Sequence, residues 1–192
     1  MRSTALTFIL SLCAILNRAA NLGAYMPIRK IFITATVCII ASTSAAFADW
    51  FTKSEEDVFS GKQTATMIGA SGPAGSVYLN CDADRNVNVS IIFPFKDDID
   101  TSLKGLLVIK VDSGETLRLD AEAYQHNDKY AGFKATLDDA QKVSLLKSIS
   151  SAKKKILAGL SVESLDLKHS IDIAPGGSTK AATSFMKACE IS

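Results

Sequence analysis

Alternation of apolar and polar residues dominates the chain from residue 63 onward and predicts a protein built mainly of β-strands. Side chains two positions apart lie on the same face of a strand, so a strand with one buried face alternates in this way. The pattern predicts strands at residues 63–70, 76–81, 86–93, 105–111, 116–124, 130–137, 154–160 and 165–173. Short segments rich in glycine, proline, serine and aspartate separate many of them, as expected for turns.

The predicted strand at 105–111 departs from this alternation. It is apolar at both parities, through Leu106, Leu107, Val108, Ile109 and Val111. Strands that are buried on both faces show near-continuous apolar runs. We therefore expect this strand to be central and covered on both sides.

Two short helices are predicted among the strands. The first begins after Asp138, an N-cap with Gln141 three residues further on, which is the spacing of a capping box. The second spans residues 179–189, with Ser178 as its N-cap. Strands with two small helices predict an α+β fold, mainly antiparallel β, arranged as a sandwich or a partly closed barrel.

The first 48 residues follow a different pattern, that of an export leader. Arg29 and Lys30 precede the apolar run 31–40, and Ala46-Phe47-Ala48 supplies a cleavage site of small residues. A basic flank, a short apolar core and such a site are typical of a secretory signal peptide, which we expect to span residues 26–48. The remaining residues 49–192 have the length of one domain with one core.

Residues 1–25 precede this signal peptide and contain a second apolar run at 5–16. Two interpretations remain open. Either translation begins at Met26 and the first stretch is an over-extended gene start, or residues 1–48 form one long leader. Neither apolar run reaches the roughly 18 residues of a membrane-spanning helix, so we expect no stable membrane anchor after processing.

The charge balance of the expected mature domain argues against nucleic acid as a partner. Four of the 21 basic residues lie in the leader, together with none of the 20 acidic residues. The rest of the chain therefore has three more acidic than basic side chains. Binding through phosphate neutralisation needs a basic face, which this balance does not supply.

Export also sets the expected state of the cysteines. Cys13 and Cys38 fall in the leader, so the mature domain keeps Cys81 and Cys189. Cys81 shares the apolar face of its strand, and Cys189 shares the apolar stripe of the second helix. In an oxidising periplasm or exterior we expect these two inward sulfurs to form a disulfide.

Residues that could support catalysis or hold a cofactor or metal have simpler structural explanations. His169 lies at the apolar parity of its strand, where a hydrogen-bonded core or rim histidine is expected, and His126 lies in a polar hairpin exposed to solvent. No Gly-x-Ser-x-Gly elbow marks a nucleophile. The acidic segment 97–100 is not a calcium loop, because Leu103 stands where that loop needs glycine. We expect no catalytic residue, no cofactor and no metal site.

An early tryptophan, a strand ending in cysteine, an Asp-x-Gly hairpin and a closing helix that ends in Ala-Cys follow the export leader. The residues are Trp50, Val77-Tyr78-Leu79-Asn80-Cys81, Asp112-Ser113-Gly114, Gly177-Ser178-Thr179-Lys180-Ala181 and Ala188-Cys189. This layout resembles small periplasmic proteins of the invasion-associated locus B kind, and the type VI secretion accessory proteins called TagO or VasI. The chain lacks a tryptophan after its final cysteine, which would have matched the second family better. The resemblance implies a non-enzymatic envelope factor that assists host interaction or a secretion apparatus.

Partner binding is expected at an aromatic patch with acidic neighbours. Phe93 and Phe95 flank a proline, and Asp97 and Asp98 follow. An exposed aromatic group inside a polar rim is typical of protein interfaces. An envelope or host protein is the partner class that fits this patch and the export leader.

Three functional classes follow from the sequence. The first is the accessory or interaction protein. The second is a secreted inhibitor of a wall-degrading enzyme, which would present one rigid protruding loop, and residues 95–102 are the candidate. The third is a hydrolase, which would need a pocket that joins His169 to a serine and a carboxylate.

Processing gives the first prediction. Protein recovered from the cell envelope should begin at Asp49 and be released in soluble form by osmotic shock, because the signal peptide is cut after Ala48. N-terminal sequencing and intact mass measure this. A mass that still includes residues 26–48, or retention in the membrane pellet, would contradict the export interpretation.

Overall fold

Nine strands and two helices make up the part of the chain that the structure describes. This computed structural model describes residues 49–192, so the expected gene-start extension (1–25) and signal peptide (26–48) lie outside the described residues. The strands are β1 (Trp50–Glu56), β2 (Gln63–Ala70), β3 (Ser76–Cys81), β4 (Val87–Pro94), β5 (Lys104–Val111), β6 (Thr116–Asn127), β7 (Tyr130–Leu137), β8 (Ile156–Val162) and β9 (Leu167–Ile173). The helices are α1 (Asp139–Ser151), between β7 and β8, and α2 (Ser178–Ala188), after β9.

All nine strands join one antiparallel sheet in the order β1-β2-β3-β4-β7-β6-β5-β8-β9. The first four strands form a meander. Strand β5 lies apart from β4, and β6 and β7 fill the space between them, with β7 paired to β4. The chain then crosses through α1 to add β8 and β9 on the other side of β5. The sheet curls into a half-barrel with the two helices. The predicted α+β fold, mainly antiparallel β and arranged as a sandwich or a partly closed barrel, is confirmed.

The inner face of the sheet, which carries the core, follows from the alternation in the sequence. Apolar residues of neighbouring strands stand opposite one another, as in the pairs Val77 with Ile91, Leu79 with Val89, and Cys81 with Val87. Each of these side chains is buried. A shift of one residue would move a whole apolar set to the opposite face, so the core fixes the register of the strands.

The two helices complete this core. Asp138 accepts a hydrogen bond from the Gln141 N–H (2.8 Å), and the Gln141 side chain accepts one from the Asp138 N–H (3.1 Å), so the predicted capping box is present. The start of α2 differs from the prediction. Gly177, with φ 84°, is the N-cap, and Ser178 begins the helix with a buried hydroxyl that has no partner in the described residues. Glycine takes this place because it adopts positive φ without strain.

Strand β5 is central, as predicted, but only one of its faces is fully covered. Leu107 and Ile109 are buried in the core, whereas Leu106 and Val108 are half-buried on the opposite, outer face. Within residues 49–192 the expectation of cover on both sides is wrong, because both helices join the core on the inner face and no second layer packs on the outer face.

Strand β1 was not predicted, since Trp50 is its one buried apolar residue. The indole N–H of Trp50 donates to the Ala174 carbonyl (3.1 Å), and its backbone N–H donates to the Gly176 carbonyl (3.0 Å). The ring lies so close to Gly69 that a Cβ there would stand 2.5 Å from it. Trp50 therefore holds the β1 edge of the sheet against the chain that leaves β9, its other edge.

The turn between β5 and β6 is tied to the segment between α1 and β8 by one carboxylate. Asp112 accepts hydrogen bonds from the backbone N–H groups of Lys153, Lys154 and Lys155 at 2.8, 2.8 and 2.9 Å. These hydrogen bonds, with the charge of Lys154, hold the pKa of Asp112 below its ordinary value. The charged form is therefore favoured by folding.

This geometry predicts how stability depends on pH. Because the pKa of Asp112 is lower in the folded than in the unfolded chain, its contribution is fully present above the unfolded pKa of about 3.9 and is lost as pH falls through the folded pKa. Asp112→Asn should lower the free energy of unfolding at pH 7, and its difference from wild type should shrink below about pH 4.

Urea unfolding between pH 3 and 7 measures this effect. Asp128→Asn is the matched control, since the exposed Asp128 carboxylate makes no hydrogen bond to another residue within 49–192. An Asp112→Asn difference that stays constant with pH, or one equal to that of the control, would contradict this role.

Candidate functional site

The turn between β1 and β2 presents the most exposed apolar side chains of the described chain. Phe59 is 96% exposed and Val58 is 86% exposed. Nearly every residue from 53 to 63 is exposed, so this hairpin projects from the edge of the sheet. We call Val58 and Phe59 the hairpin tip.

Hydrogen bonds fix the conformation of this turn. The Asp57 carboxylate accepts the backbone N–H of Ser60 (3.0 Å) and of Phe59 (3.4 Å), and also the Ser60 hydroxyl. The Asp57 N–H donates to the Lys62 carbonyl (2.8 Å), and Gly61 adopts φ 66°. The Ser60 hydrogen bond also lowers the pKa of Asp57. These hydrogen bonds constrain the backbone of the tip, while its two side chains face solvent.

Polar groups surround the tip. Lys53 forms an ion pair with Glu55, and the Lys62 Nζ lies 3.6 Å from the Asp84 Oδ1. Glu56 has no ion-pair partner within residues 49–192. The apolar tip is thus flanked by a carboxylate that is available for an ion pair with a lysine or arginine of another molecule.

The aromatic patch predicted from the sequence is only half exposed. Phe93 and Phe95 are half-buried, with ring centroids 6.4 Å apart in an edge-to-face arrangement. Phe93 also packs against the core. Asp97 and Asp98 are exposed, so the acidic rim is present but the apolar surface is smaller than expected. Binding of a partner at this patch stays a prediction.

The segment 95–102, expected as the protruding loop of an inhibitor, folds back onto the molecule. Ile99 and Leu103 pack against the core. The Ile99 N–H donates to the Gln125 side chain (3.1 Å), and the Leu103 carbonyl accepts from the Ala123 N–H (3.0 Å). The hairpin tip, which the sequence patterns did not reveal, has the protruding position instead.

His169 is a rim residue, one of the two placements expected for it. Its Nε2 lies 3.1 Å from the Ala74 carbonyl, and its ring centroid is 5.4 Å from that of Phe93. The contacts fasten β9 to the turn before β3, and neither partner is a carboxylate or a hydroxyl. His126 is exposed, as predicted, and lies between Tyr78 and Tyr124.

Cys81 and Cys189 lie side by side in the core as buried free thiols. Burial, and then the hydrogen bond and charge interaction with Cys81, raise the pKa of Cys189. The Arg85 guanidinium donates to the Ala188 carbonyl (3.2 Å) and the Gln63 carbonyl (2.8 Å), which holds the end of α2 near the thiols. The predicted pair is thus brought together, and its oxidation stays a prediction.

Comparison with family models, with curated proteins and with solved structures found no match. The resemblance to the invasion-associated locus B and TagO or VasI proteins therefore stays a prediction from the sequence. No helix within residues 49–192 combines the length and apolar character that crossing a membrane requires. In the same part of the chain, no three His, Cys, Asp or Glu side chains are grouped as a metal site would need.

The thiol geometry predicts when a disulfide would form. Protonated, buried thiols exchange slowly, so the Cys81–Cys189 bond should form during oxidative folding and not in the folded, reduced protein. Closing a loop of about 108 residues should raise the free energy of unfolding by roughly 4–5 kcal/mol, less any strain.

Mass spectrometry of non-reduced tryptic peptides should find the two cysteine peptides linked in protein isolated from the envelope. Denaturant unfolding should give a lower free energy of unfolding for Cys189→Ser and for the reduced wild type than for the oxidised protein, since both lack the bond. Two thiols that alkylate freely in the isolated protein would contradict the pairing.

Proposed function

We propose that this chain is an exported accessory protein without catalytic activity, which binds a partner protein in the cell envelope through its hairpin tip. The observation that carries the proposal is the exposure of Val58 and Phe59 on a turn fixed by Asp57. Apolar side chains that are exposed side by side on a projecting element are typical of sites that bind another protein.

The energetics favour the tip as an anchor. Burying a phenylalanine side chain contributes roughly 1.5–3 kcal/mol through the hydrophobic effect. The hydrogen bonds around Asp57 already order the backbone, so less conformational entropy is lost on binding. A rigid aromatic anchor of this kind is typical of the residues that dominate binding energy at protein interfaces.

The surroundings of the tip describe the partner surface that would fit it. An apolar pocket would take the Phe59 ring, and a lysine or arginine at its rim would pair with Glu56. Charged groups at an interface rim act mainly on association rate and specificity. The partner class predicted from the sequence, an envelope or host protein, is compatible with this surface.

A secreted inhibitor of a wall-degrading enzyme is the second candidate. The observation that favours it is the rigid projection of the tip, because inhibitors of this kind insert one ordered loop into an active-site cleft. The segment 95–102, which packs against the core through Ile99, does not have this form. An accessory protein and an inhibitor would use the same tip, and they differ in whether the captured partner is an enzyme that loses activity.

Substitution of the tip gives the prediction for this proposal. A photo-reactive phenylalanine at position 59, in cells that express the full chain, should form a specific adduct with the partner, because that side chain enters the interface. With the partner purified, Phe59→Ala should weaken binding by about 2 kcal/mol or more, roughly 30-fold. Titration calorimetry measures the loss.

Phe51→Ala is the matched control. Phe51 lies on the same strand β1 and is 49% exposed, but it lies away from the tip. Both variants should keep the melting temperature of wild type, and Phe51→Ala should keep its affinity. Unchanged affinity of Phe59→Ala would reject the tip, and an adduct formed from position 95 instead would assign binding to the Phe93–Phe95 patch.

A further inference from the structure

The outer face of the sheet has an aromatic cluster that neither α1 nor α2 covers. Tyr78 from β3, Tyr124 from β6 and His126 from the end of β6 lie together, with ring centroids 5.4 Å apart for Tyr78 and His126 and 6.1 Å apart for Tyr124 and His126. Ser90 and Ile92 lie on this face and are nonetheless buried. The cluster therefore covers part of a face that would otherwise meet solvent.

Beside this cluster is a pocket of about 360 Å³. A short 3-10 turn, Gly72–Ala74, borders it on one side, and the β6–β7 hairpin borders it on the other. Gly75 allows the turn to lie against β4, because a Cβ there would stand 2.6 Å from the Ile92 carbonyl oxygen. The volume is near the lower end of the roughly 300–1,000 Å³ found for small-molecule sites, which suits a ligand of about one ring.

A β-bulge directs two consecutive side chains to this pocket. The pairing of β6 with β7 shifts between Gln125 and Asn127, so Asn127 stands opposite Tyr130. Consecutive residues of a regular strand point to opposite faces. With the bulge, His126 and Asn127 both line the pocket. Bulges that redirect a side chain are common next to functional sites.

The lining of the pocket is neutral. It contains no carboxylate, ammonium or guanidinium group; its larger members are Pro73, Tyr78, Pro94, His126, Asn127 and Tyr130. The lining of the larger cleft elsewhere on the outer face, about 1020 Å³, includes Lys104, Asp120, Glu122 and Glu163. A charged ligand would find no counter-charge in the neutral pocket.

Several polar groups of the pocket have no hydrogen-bond partner within the described residues. The hydroxyls of Ser76, Tyr78 and Tyr130 make no hydrogen bond to another residue of the described chain. The Asn127 side-chain oxygen accepts from the Lys129 N–H (2.9 Å), which leaves its amide NH₂ available. Flat apolar rings together with free hydroxyl and amide groups match a ligand that has both an apolar face and several hydroxyls.

We infer that this pocket binds one sugar ring of a neutral glycan, with the ring packed against Tyr78 or Tyr130 and its hydroxyls bonded to the free polar groups. A proline-rich peptide, another ligand class that aromatic rings bind, needs an extended groove. Here the turn and the hairpin border a compact space instead. This site is separate from the hairpin tip and does not depend on the proposed function.

Titration of the isotope-labelled protein, purified after expression of the full chain, tests the inference by NMR. The probes are maltotriose, the β-1,4-linked trimer of N-acetylglucosamine and a decapeptide of proline. At least one sugar should shift the backbone amides of Tyr78, His126 and Tyr130 as a group, and the peptide should not. Absence of these shifts with both sugars, or shifts produced by the peptide alone, would overturn the inference.

Substitutions then separate the ring from its hydroxyl. Tyr78→Ala should weaken sugar binding at least about tenfold, whereas Tyr78→Phe should retain most of the affinity. Stacking on the ring contributes more binding free energy than a single hydrogen bond to the hydroxyl. Tyr130, which is 40% exposed, supplies a second variant, Tyr130→Ala, which should keep the fold. Phe51→Ala, an exposed ring elsewhere on the molecule, is the control. Wild-type affinity in both alanine variants would reject the site.

Discussion

The contacts of the Trp50 indole join the two edges of the sheet, and the architecture depends on this connection. An antiparallel sheet of nine strands has two free edges, here β1 and β9. Trp50 belongs to the first edge, yet its hydrogen bonds reach Ala174 and Gly176, just beyond the second. Gly69 leaves the space for the ring. Because the ring is buried, the same residue also fills the core beside the segment that follows β9.

The hydrogen bonds around that closure support it from both sides. Thr52 donates to the Ala181 carbonyl (2.7 Å) and so attaches β1 to α2, while Ser71 donates to the Asp172 carbonyl (2.7 Å) and so attaches the β2–β3 turn to β9. His169 adds a third link between the same regions. Each partner is a backbone carbonyl, which stays available when side chains nearby change. The closure is therefore a property of the backbone arrangement as much as of any one side chain.

Most of the fold could be predicted because eight of the nine strands place several apolar residues at alternate positions. Strand β1 has one, Trp50, so the alternation that defines a strand was too weak to detect. The prediction of the N-cap of α2 was wrong for a different reason. A serine before a helix usually supplies the capping oxygen, but the preceding Gly177 had the backbone freedom to take that position, and Ser178 entered the core.

The candidate sites were harder to predict, because each depends on which apolar residues the fold leaves uncovered. The sequence does not distinguish Phe59 from Phe93, yet Phe59 is almost fully exposed and Phe93 packs against the core. The neutral pocket combines residues of β3, β4 and β7 with a bulge in β6, and strand order cannot be derived from alternation. The cysteine pair was predictable as a pair because two inward-facing sulfurs in one small core have few other partners.

The position of Trp50 has a consequence for the order of events when the chain is made. Its hydrogen bond to Ala174 spans 124 residues, so this contact of strand β1 cannot form until almost the whole domain has left the ribosome. Contacts this distant in sequence slow folding, because the cost of closing a long loop precedes the stabilisation that it brings. A chain with this topology therefore gains the contact that joins its first strand to the far edge only after its last strand has been synthesised.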